Sequence, residues 1–165
     1  MRRAIQAHTG LKAEVKWPND ILINRKKIAG ILTELRAELD HVKYVILGIG
    51  VDVNLNPSDF SAEFRKSTTS LKIELGKPVF RAELAVVILR ELDRDYARIA
   101  SGRFAAIADE WEEHCTTIGQ EVVIRTGDRQ VRGRAESLGE DGALLLRTDH
   151  GHLERIVGGD LTLEK

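Results

Sequence analysis

The spacing of hydrophobic residues changes once along the chain and divides it into two parts. In the first part, apolar residues recur every four positions and predict a long amphipathic helix at Leu84, Ile88, Leu92 and Tyr96. From Gly119 onward, short apolar runs alternate with turns that contain glycine. These runs predict strands at Val122–Arg125, Gln130–Ala135, Ala143–Arg147, His152–Val157 and Leu161–Leu163. The sequence thus predicts a first domain of residues 1–117 and a small β-barrel of residues 118–165.

The first part mixes helices with strands. Helices are predicted at Met1–His8, at the segment capped by Thr69 or Ser70, and at Phe104–His114. Strands are predicted at Lys12–Trp17, Ile21–Ile23, Lys27–Leu35 and His41–Leu55. The run Tyr44–Val51 is apolar on both faces, which is typical of a strand that is covered on both sides. The fold class expected is α+β, with a partial mixed β-sheet and helices before the barrel.

Composition narrows the functional classes. Lys and Arg total 25 and Asp and Glu total 26, giving a formal net charge of -1. That balance argues against non-specific binding to nucleic acid or to an anionic membrane. The longest apolar run is too short to span a bilayer. A single cysteine cannot form an internal disulfide, which fits a reducing cytoplasm.

The string Lys16-Trp17-Pro18-Asn19-Asp20, followed by Lys27-Ile28-Ala29-Gly30, places cations and a carboxylate near strand ends and turns. Lysines there can hold phosphates or a carboxylate, and Asp20 can hold Mg²⁺ that bridges phosphates. A structural interpretation has Trp17 in the core, a turn after it, and solvated lysines. The spacing alone favours the structural interpretation.

A second string, Gly48-Ile49-Gly50-Val51-Asp52-Val53-Asn54, puts paired glycines in an apolar strand. Such glycines let a ligand or another backbone approach closely, with Asp52 and Asn54 on one face. The string is not a dinucleotide-binding fingerprint, because no third glycine and no helix follow. The alternative is a buried strand with glycines opposite bulky neighbours, and both interpretations stay open.

Taken together, these strings resemble the biotin–protein ligase family in order and spacing. The resemblance includes Ile31-Leu32 after Gly30, Thr69-Ser70-Leu71, Ile118-Gly119, Gly142–Leu146 and Val157–Asp160, and it covers essentially the whole chain. It implies the second half of a catalytic domain of the class II synthetase type, followed by an SH3-like barrel. It also implies that the N-terminal half of that domain is missing here.

The resemblance implies a two-step reaction with biotin and ATP as substrates and Mg²⁺ as the cofactor. Biotin's carboxylate attacks the α-phosphate of ATP and gives biotinyl-AMP and pyrophosphate. A lysine amine of the biotin carboxyl carrier protein of acetyl-CoA carboxylase then attacks the acyl carbon and releases AMP. A fixed cation stabilises the negative charge that both steps build.

By motif, Lys27 resembles the lysine that contacts biotin's carboxylate and the adenylate, and Asp20 the acid near the phosphates and Mg²⁺. The biotin and adenylate site would also include Lys16, Asn19, Gly30, Gly48, Gly50 and Asp52. The family usually has asparagine where this chain has Asp52, so a carboxylate replaces an amide donor near an anion.

The family's glycine- and arginine-rich phosphate loop, its biotin-ring strands and its N-terminal winged-helix DNA-binding domain are not found in the sequence. The chain alone is therefore expected to be an incomplete ligase that does not bind nucleic acid. Two alternatives are a lipoate or octanoate ligase-like acyl transferase, and a non-catalytic module for carrier docking or dimerisation. Family members often pair through the central sheet, so a homodimer is also an expectation.

Overall fold

The computed structural model describes residues 1–38 and 41–163. Two compact units form: one of Met1–Ala13 and Asn19–Leu89, the other of Glu14–Pro18 and Arg90–Lys165. They are called the first and second unit below. The units are groups of contacting residues, and the predicted domain boundary between residues 117 and 118 stays a prediction.

Helices and strands occur close to where the hydrophobic patterns predict them, except that the strand predicted over His41–Leu55 ends at Val51. In chain order they are α1 (Arg2–Thr9), β1 (Glu14–Lys16), β2 (Asp20–Ile23), β3 (Lys26–Glu38), β4 (His41–Val51), a 3-10 turn (Pro57–Asp59), α2 (Leu71–Leu75), α3 (Arg81–Ala100), α4 (Phe104–Glu113), β5 (Glu121–Thr126), β6 (Arg129–Leu138), β7 (Leu144–Thr148), β8 (Leu153–Ile156) and β9 (Asp160–Leu163). Among the described residues, no helix is long and apolar enough to cross a membrane.

Local capping chemistry sets the ends of the short helices. Gly10 ends α1 in the left-handed conformation (φ 77°), as the sequence predicts. Ser70 caps α2 by accepting a hydrogen bond from the amide of Ile73, and Gly76 ends the helix in the left-handed region. The predicted cap at Thr69 or Ser70 is thus confirmed at Ser70.

In the first unit, β2, β3 and β4 form an antiparallel meander. Its turn residues Asn24 and Arg25 both have positive φ (49° and 63°), which matches the twist of a two-residue hairpin. The core at its base contains Ile5, Ile23 and Ile28, which are at most 2% exposed.

The prediction that Tyr44–Val51 is covered on both sides is wrong in this structure. Strand β4 is the edge strand of its sheet. Exposed large apolar side chains on β3 and β4 are Leu32, Leu35, Val42, Tyr44, Val45, Ile46, Leu47 and Ile49. A continuous apolar run indicates that burial of both strand faces would be favourable. Burial requires another layer to pack against the strand, and no described residue covers most of β4.

In the second unit, five antiparallel strands form a sheet in the order β8-β7-β6-β5-β9. This confirms the predicted five-stranded, SH3-like barrel. Its buried core includes Trp17, Val122, Ile124, Leu144 and Leu146, with Trp111 of α4 packed against them.

Two isolated parallel bridges lie outside the named strands. One joins Lys27 to Thr68 in the first unit, and the other joins Val15 to Cys115 in the second. The named strand pairs that hold the two sheets together are antiparallel.

Candidate functional site

Lys27 and Asp20 form an ion pair on one face of the first unit's sheet. The Lys27 Nζ lies 2.5 Å from Asp20 Oδ1, and their side chains are 44% and 19% exposed. That carboxylate oxygen is buried and accepts no hydrogen bond with regular geometry from a described residue. The ammonium therefore supplies the charge compensation that a buried carboxylate oxygen requires.

A β-bulge aims Lys27 at this position. The pairing between β2 and β3 shifts from Ile21–Ala29 to Leu22–Lys27, so Ile28 is an extra residue in β3. Residues three apart in a regular strand face opposite sides, whereas one extra residue restores them to the same side. The bulge thus brings the side chain of Lys27 onto the face that carries Gly30.

Gly30 makes room for the ammonium. A Cβ added at Gly30 would lie 3.3 Å from both Cε and Nζ of Lys27, and 3.7 Å from Asp20 Oδ1. Asp20 and Gly30 are also register partners across β2 and β3. A methyl group at this position would require the lysine tip to shift by a few tenths of an ångström.

Hydrogen bonds from a neighbouring segment fix the backbone of Lys27. Its amide donates to the carbonyl of Ser67, and its carbonyl accepts from the amide of Thr69, each at 2.9 Å. Thr69 is 1% exposed. The sequence did not indicate this support, because residues forty apart in the chain meet only once the sheet and α2 are in place.

Gly48 and Gly50 extend the same sheet face. Gly50 pairs with Gly30, and Gly48 pairs with Leu32. A Cβ would find only ordinary contacts, at 3.5 Å from Leu32 O for Gly48 and 3.9 Å from Gly30 O for Gly50. Neither glycine is required by the chain's own packing, and β4 is exposed. The alternative of a buried strand is therefore wrong for these glycines, and a ligand lying against them stays a prediction.

Asp52 lies where β4 leaves the sheet. Its amide donates to the carbonyl of Ile28 at 2.8 Å, and its carbonyl accepts from the amide of Leu71 at 2.9 Å. Partial burial raises the pKa of the Asp52 carboxyl, and the nearby positive charge of Lys27 partly offsets this. Asp52 is thus electrostatically coupled to the same lysine as Asp20.

Asn54, expected on one face with Asp52, binds within its own unit instead. Its side-chain amide donates to the carbonyl of Val79, and its side-chain oxygen accepts from the amide of Val79, each at 2.9 Å. With both groups engaged, Asn54 holds the segment before α3.

Of the other two predicted contacts, Asn19 lies in the first unit and Lys16 lies in the second. Asn19 donates from Nδ2 to the carbonyl of Ile31 at 2.8 Å, and accepts at its own carbonyl from the amide of Ile31 at 3.0 Å. It therefore extends the hairpin. Lys16, half-buried, ends β1 in the second unit, and the adjacent Trp17 is 3% exposed in that unit's core. The core interpretation of Trp17 is confirmed.

The described residues contain no group of three or more His, Cys, Asp or Glu side chains that could hold a metal ion. Asp20 already contacts an ammonium through one oxygen, and that charge disfavours a divalent cation at the same oxygen. The structure thus offers Mg²⁺ no protein cage here, and a magnesium ion would have to depend mainly on substrate phosphates.

Comparison with known proteins finds two family models. "Biotin/lipoate A/B protein ligase family" matches residues 1–52, and "Biotin protein ligase C terminal domain" matches residues 117–162. The bifunctional ligase/repressor BirA of Bacillus subtilis is 38% identical over 161 residues, which are 98% of this chain and 49% of that protein. The biotin–[acetyl-CoA-carboxylase] ligase of Paracoccus denitrificans is 32% identical over 138 residues, 83% of this chain and 58% of that protein. The chain spans about half the length of the curated relatives that it matches.

A solved structure shares the fold. The biotin protein ligase from Aquifex aeolicus, in complex with biotin and ATP, superimposes with a TM-score of 0.81 and 25% identity. The match covers 99% of this chain and 67% of that one.

Proposed function

Because the chain belongs to the biotin–protein ligase family, we propose that it supplies the charge-stabilising part of a biotin–protein ligase. The reaction is the ATP-dependent activation of biotin to biotinyl-AMP, followed by transfer of biotin to a lysine of a carrier protein. The observation that carries the proposal is the Lys27 ammonium, held beside Asp20 and above Gly30 on an exposed sheet face.

Lys27 is the catalytic residue of this proposal. In the first step an oxygen of biotin's carboxylate attacks the α-phosphorus, and the bond to the leaving pyrophosphate breaks. In the second step the carrier's amine attacks the acyl carbon, loses a proton, and AMP leaves with the shared oxygen. Negative charge grows on the phosphate and then on the carbonyl oxygen, and a pre-positioned ammonium stabilises both.

Asp20 holds that ammonium in place before substrate binds. The pair keeps Lys27 from swinging freely, which lowers the entropic cost of presenting its charge to the adenylate. Mg²⁺ enters the proposal as the ion that accompanies ATP, with the second oxygen of Asp20 as the group available to it. The ion would supply further neutralisation of the phosphates.

The remaining predicted contacts follow the same face. Gly30, Gly48 and Gly50 leave a flat surface against which the adenylate can lie. Asp52, coupled to Lys27, adjoins the proposed nucleotide side. Asn19 acts through the hairpin that it extends, and Lys16 is retained as a phosphate contact on the motif alone.

The partner proposed is the biotin carboxyl carrier protein of acetyl-CoA carboxylase, since the Paracoccus denitrificans relative is named for that acceptor. The domain boundary proposed at residues 117/118 is supported by the family model that begins at residue 117.

The cytoplasm is the proposed location, because the single cysteine requires no oxidising compartment. The exposed edge strand β4 is the proposed pairing surface of a homodimer.

Lipoate or octanoate transfer is the second candidate, because the family model at residues 1–52 covers both activities. It is less well supported, since the named relatives above are biotin ligases and the second family model is specific to them. A purely non-catalytic module accounts less well for the aimed Lys27 side chain.

The test is calorimetric binding of a stable sulfamoyl analogue of biotinyl-AMP, with the lipoyl analogue in parallel. The Lys27→Ala substitution should weaken binding about tenfold or more, because a hydrogen bond to a charged group contributes roughly 1.5–3 kcal/mol. Lys26→Ala, at the exposed neighbouring lysine, is the matched control and should bind like the unaltered chain. Arginine at position 27 should not restore affinity fully, since a planar fork differs in shape from an ammonium. Tighter binding of the lipoyl analogue, or indifference to Lys27→Ala, contradicts the proposal.

A further inference from the structure

Glu74 joins the two segments that flank Lys27. Its Oε1 accepts a hydrogen bond from the hydroxyl of Thr69 at 2.6 Å, and its Oε2 accepts one from the side-chain amide of Asn24, also at 2.6 Å. Each carboxylate oxygen thus binds a different part of the chain. Glu74 itself lies on α2, one position before the helix's last residue and one turn after the Ser70 cap.

The two hydrogen-bond partners of Glu74 are both close to Lys27. One precedes it in the chain, and the other hydrogen-bonds to its backbone. Asn24 is in the left-handed turn that enters β3, three residues before the lysine. The amide of Thr69 donates to the lysine's own carbonyl. A carboxylate that bonds both segments therefore restrains the chain before Lys27 and the chain beside it.

The restraint bears on the lysine tip. The bulge at Ile28 and the space above Gly30 aim the ammonium at Asp20 only while the backbone at Lys27 keeps its place. An ion pair with a lysine that is 44% exposed is weak by itself, because water competes for both charges. Its geometry therefore depends also on what holds the backbone at Lys27.

We propose that Glu74 is a positioning residue for Lys27, acting through Thr69 and Asn24 and touching no substrate itself. The inference rests on the proposed role of Lys27 in adenylate chemistry. It makes α2 part of the catalytic apparatus rather than a surface connection. It also assigns a purpose to the buried Thr69, whose hydroxyl faces the carboxylate and whose amide faces the lysine.

The experiment measures the lysine directly and needs no ligand. The folded chain is treated briefly with acetic anhydride, and the acetylation rate of each lysine is read by mass spectrometry. An ammonium paired with a carboxylate reacts more slowly than a free one, so the rate at Lys27 is divided by that at the exposed Lys12 and Lys77. In Glu74→Ala this ratio should rise about two- to fivefold, the range expected when a partly exposed ion pair is lost.

Matched variants separate positioning from general stability. Glu63→Ala removes an exposed carboxylate from the same unit and should leave the ratio unchanged. Asp20→Asn should raise the ratio as much as Glu74→Ala does, and the double variant should add nothing, because both act on one ion pair. Glu74→Gln, which keeps one acceptor oxygen, should give an intermediate ratio and remains informative if the alanine variant fails to fold.

An unchanged Lys27 ratio in Glu74→Ala or Glu74→Gln, with only a lower melting temperature, would show that Glu74 is merely structural and would overturn the proposal. Additive effects of Asp20→Asn and Glu74→Ala would overturn it too. The adenylate-binding experiment is independent: its failure would remove the proposed function while leaving this positioning result intact.

Discussion

At the scale of single residues, the candidate site depends on the lack of a side chain at Gly30. A methyl group there would lie 3.3 Å from the Lys27 ammonium and its neighbouring carbon. Gly30→Ala should leave the fold intact, since the backbone needs no left-handed conformation, but it should displace the lysine tip. Gly48→Ala is the matched control, because its Cβ would make only an ordinary contact at 3.5 Å.

We expect Gly30→Ala to reduce affinity for the biotinyl-AMP analogue by less than Lys27→Ala does, because the charge is shifted and not removed, and Gly48→Ala to reduce it less still. Calorimetry on both variants measures the difference. Equal losses would mean that the glycines act only as a flat surface and not as space for Lys27.

Asp52 gives a prediction about pH. Because partial burial raises its pKa, the folded state holds this proton more tightly than the unfolded chain does. Stability therefore falls as pH rises from the ordinary aspartate value of 3.8 through the raised one, and the loss persists above it.

Asp52→Asn should remove this loss and raise the free energy of unfolding at neutral pH, by at most about 1 kcal/mol because the side chain is partly solvated. The gain should vanish below the ordinary aspartate range. Denaturation curves at acid and neutral pH measure it.

We also expect the variant to keep or tighten its affinity for ATP, since it removes a negative charge beside phosphates; a large loss in calorimetry would assign Asp52 a positive role.

At the scale of elements, β6 and β7 approach each other too closely for a side chain at one point. A Cβ at Gly133 would lie 2.8 Å from the carbonyl carbon of Arg147 and closer still to its oxygen. Gly133 and Thr148 are register partners there, so neither strand can retreat without breaking the ladder. Backbone atoms cannot rotate away as a side chain can.

Gly133→Ala should therefore destabilise the second unit by roughly 1–3 kcal/mol, the usual cost of overpacking. Gly158→Ala, where a Cβ meets nothing within 4 Å, is the control and should change stability little. Chemical denaturation followed by tryptophan fluorescence measures both, since Trp17 and Trp111 pack in that unit. An unaltered midpoint for Gly133→Ala would contradict the close approach of the two strands.

At the scale of the whole molecule, the exposed edge strand should govern behaviour in solution. A long, flat, apolar edge presents unpaired backbone groups to another chain. We expect the purified chain to self-associate across a concentration series in sedimentation velocity. Val45→Lys, on the sheet face away from Gly30 and Gly50, should reduce that association. Val157→Lys, equally apolar to charged but 74% exposed in the second unit, should not.

We also expect the chain by itself not to biotinylate a carrier domain at a useful rate. On the described site face of the first unit, Lys27 is the cation proposed to meet a triphosphate, and that ammonium is already paired with Asp20. Phosphate sites normally add backbone amides and guanidinium groups, and poor orientation alone costs orders of magnitude in rate. Incubation with biotin, ATP, Mg²⁺ and a carrier domain, followed by mass measurement, tests this. Turnover similar to that of the Paracoccus denitrificans ligase would refute it.

The sequence by itself determined what depends on neighbours along the chain. The helix stop at Gly10, the cap at Ser70, the period of α3 and the five strands of the barrel all follow from local sterics, hydrogen bonding and side-chain spacing. The strings Lys16-Trp17-Pro18-Asn19-Asp20 and Lys27-Ile28-Ala29-Gly30 also indicated the family, through their order and spacing.

The tertiary structure decided what depends on distant partners. The bulge at Ile28, the support of Lys27 by Ser67 and Thr69, and the bonds from Glu74 join segments that no periodicity connects. The exposure of β4 also depends on the tertiary structure. An apolar run indicates that burial would be favourable, but the strand is buried only if another layer packs against it. Asn54 shows the same limit: its sequence position indicated only a face shared with Asp52, and its hydrogen bonds to Val79 appear only in the folded chain.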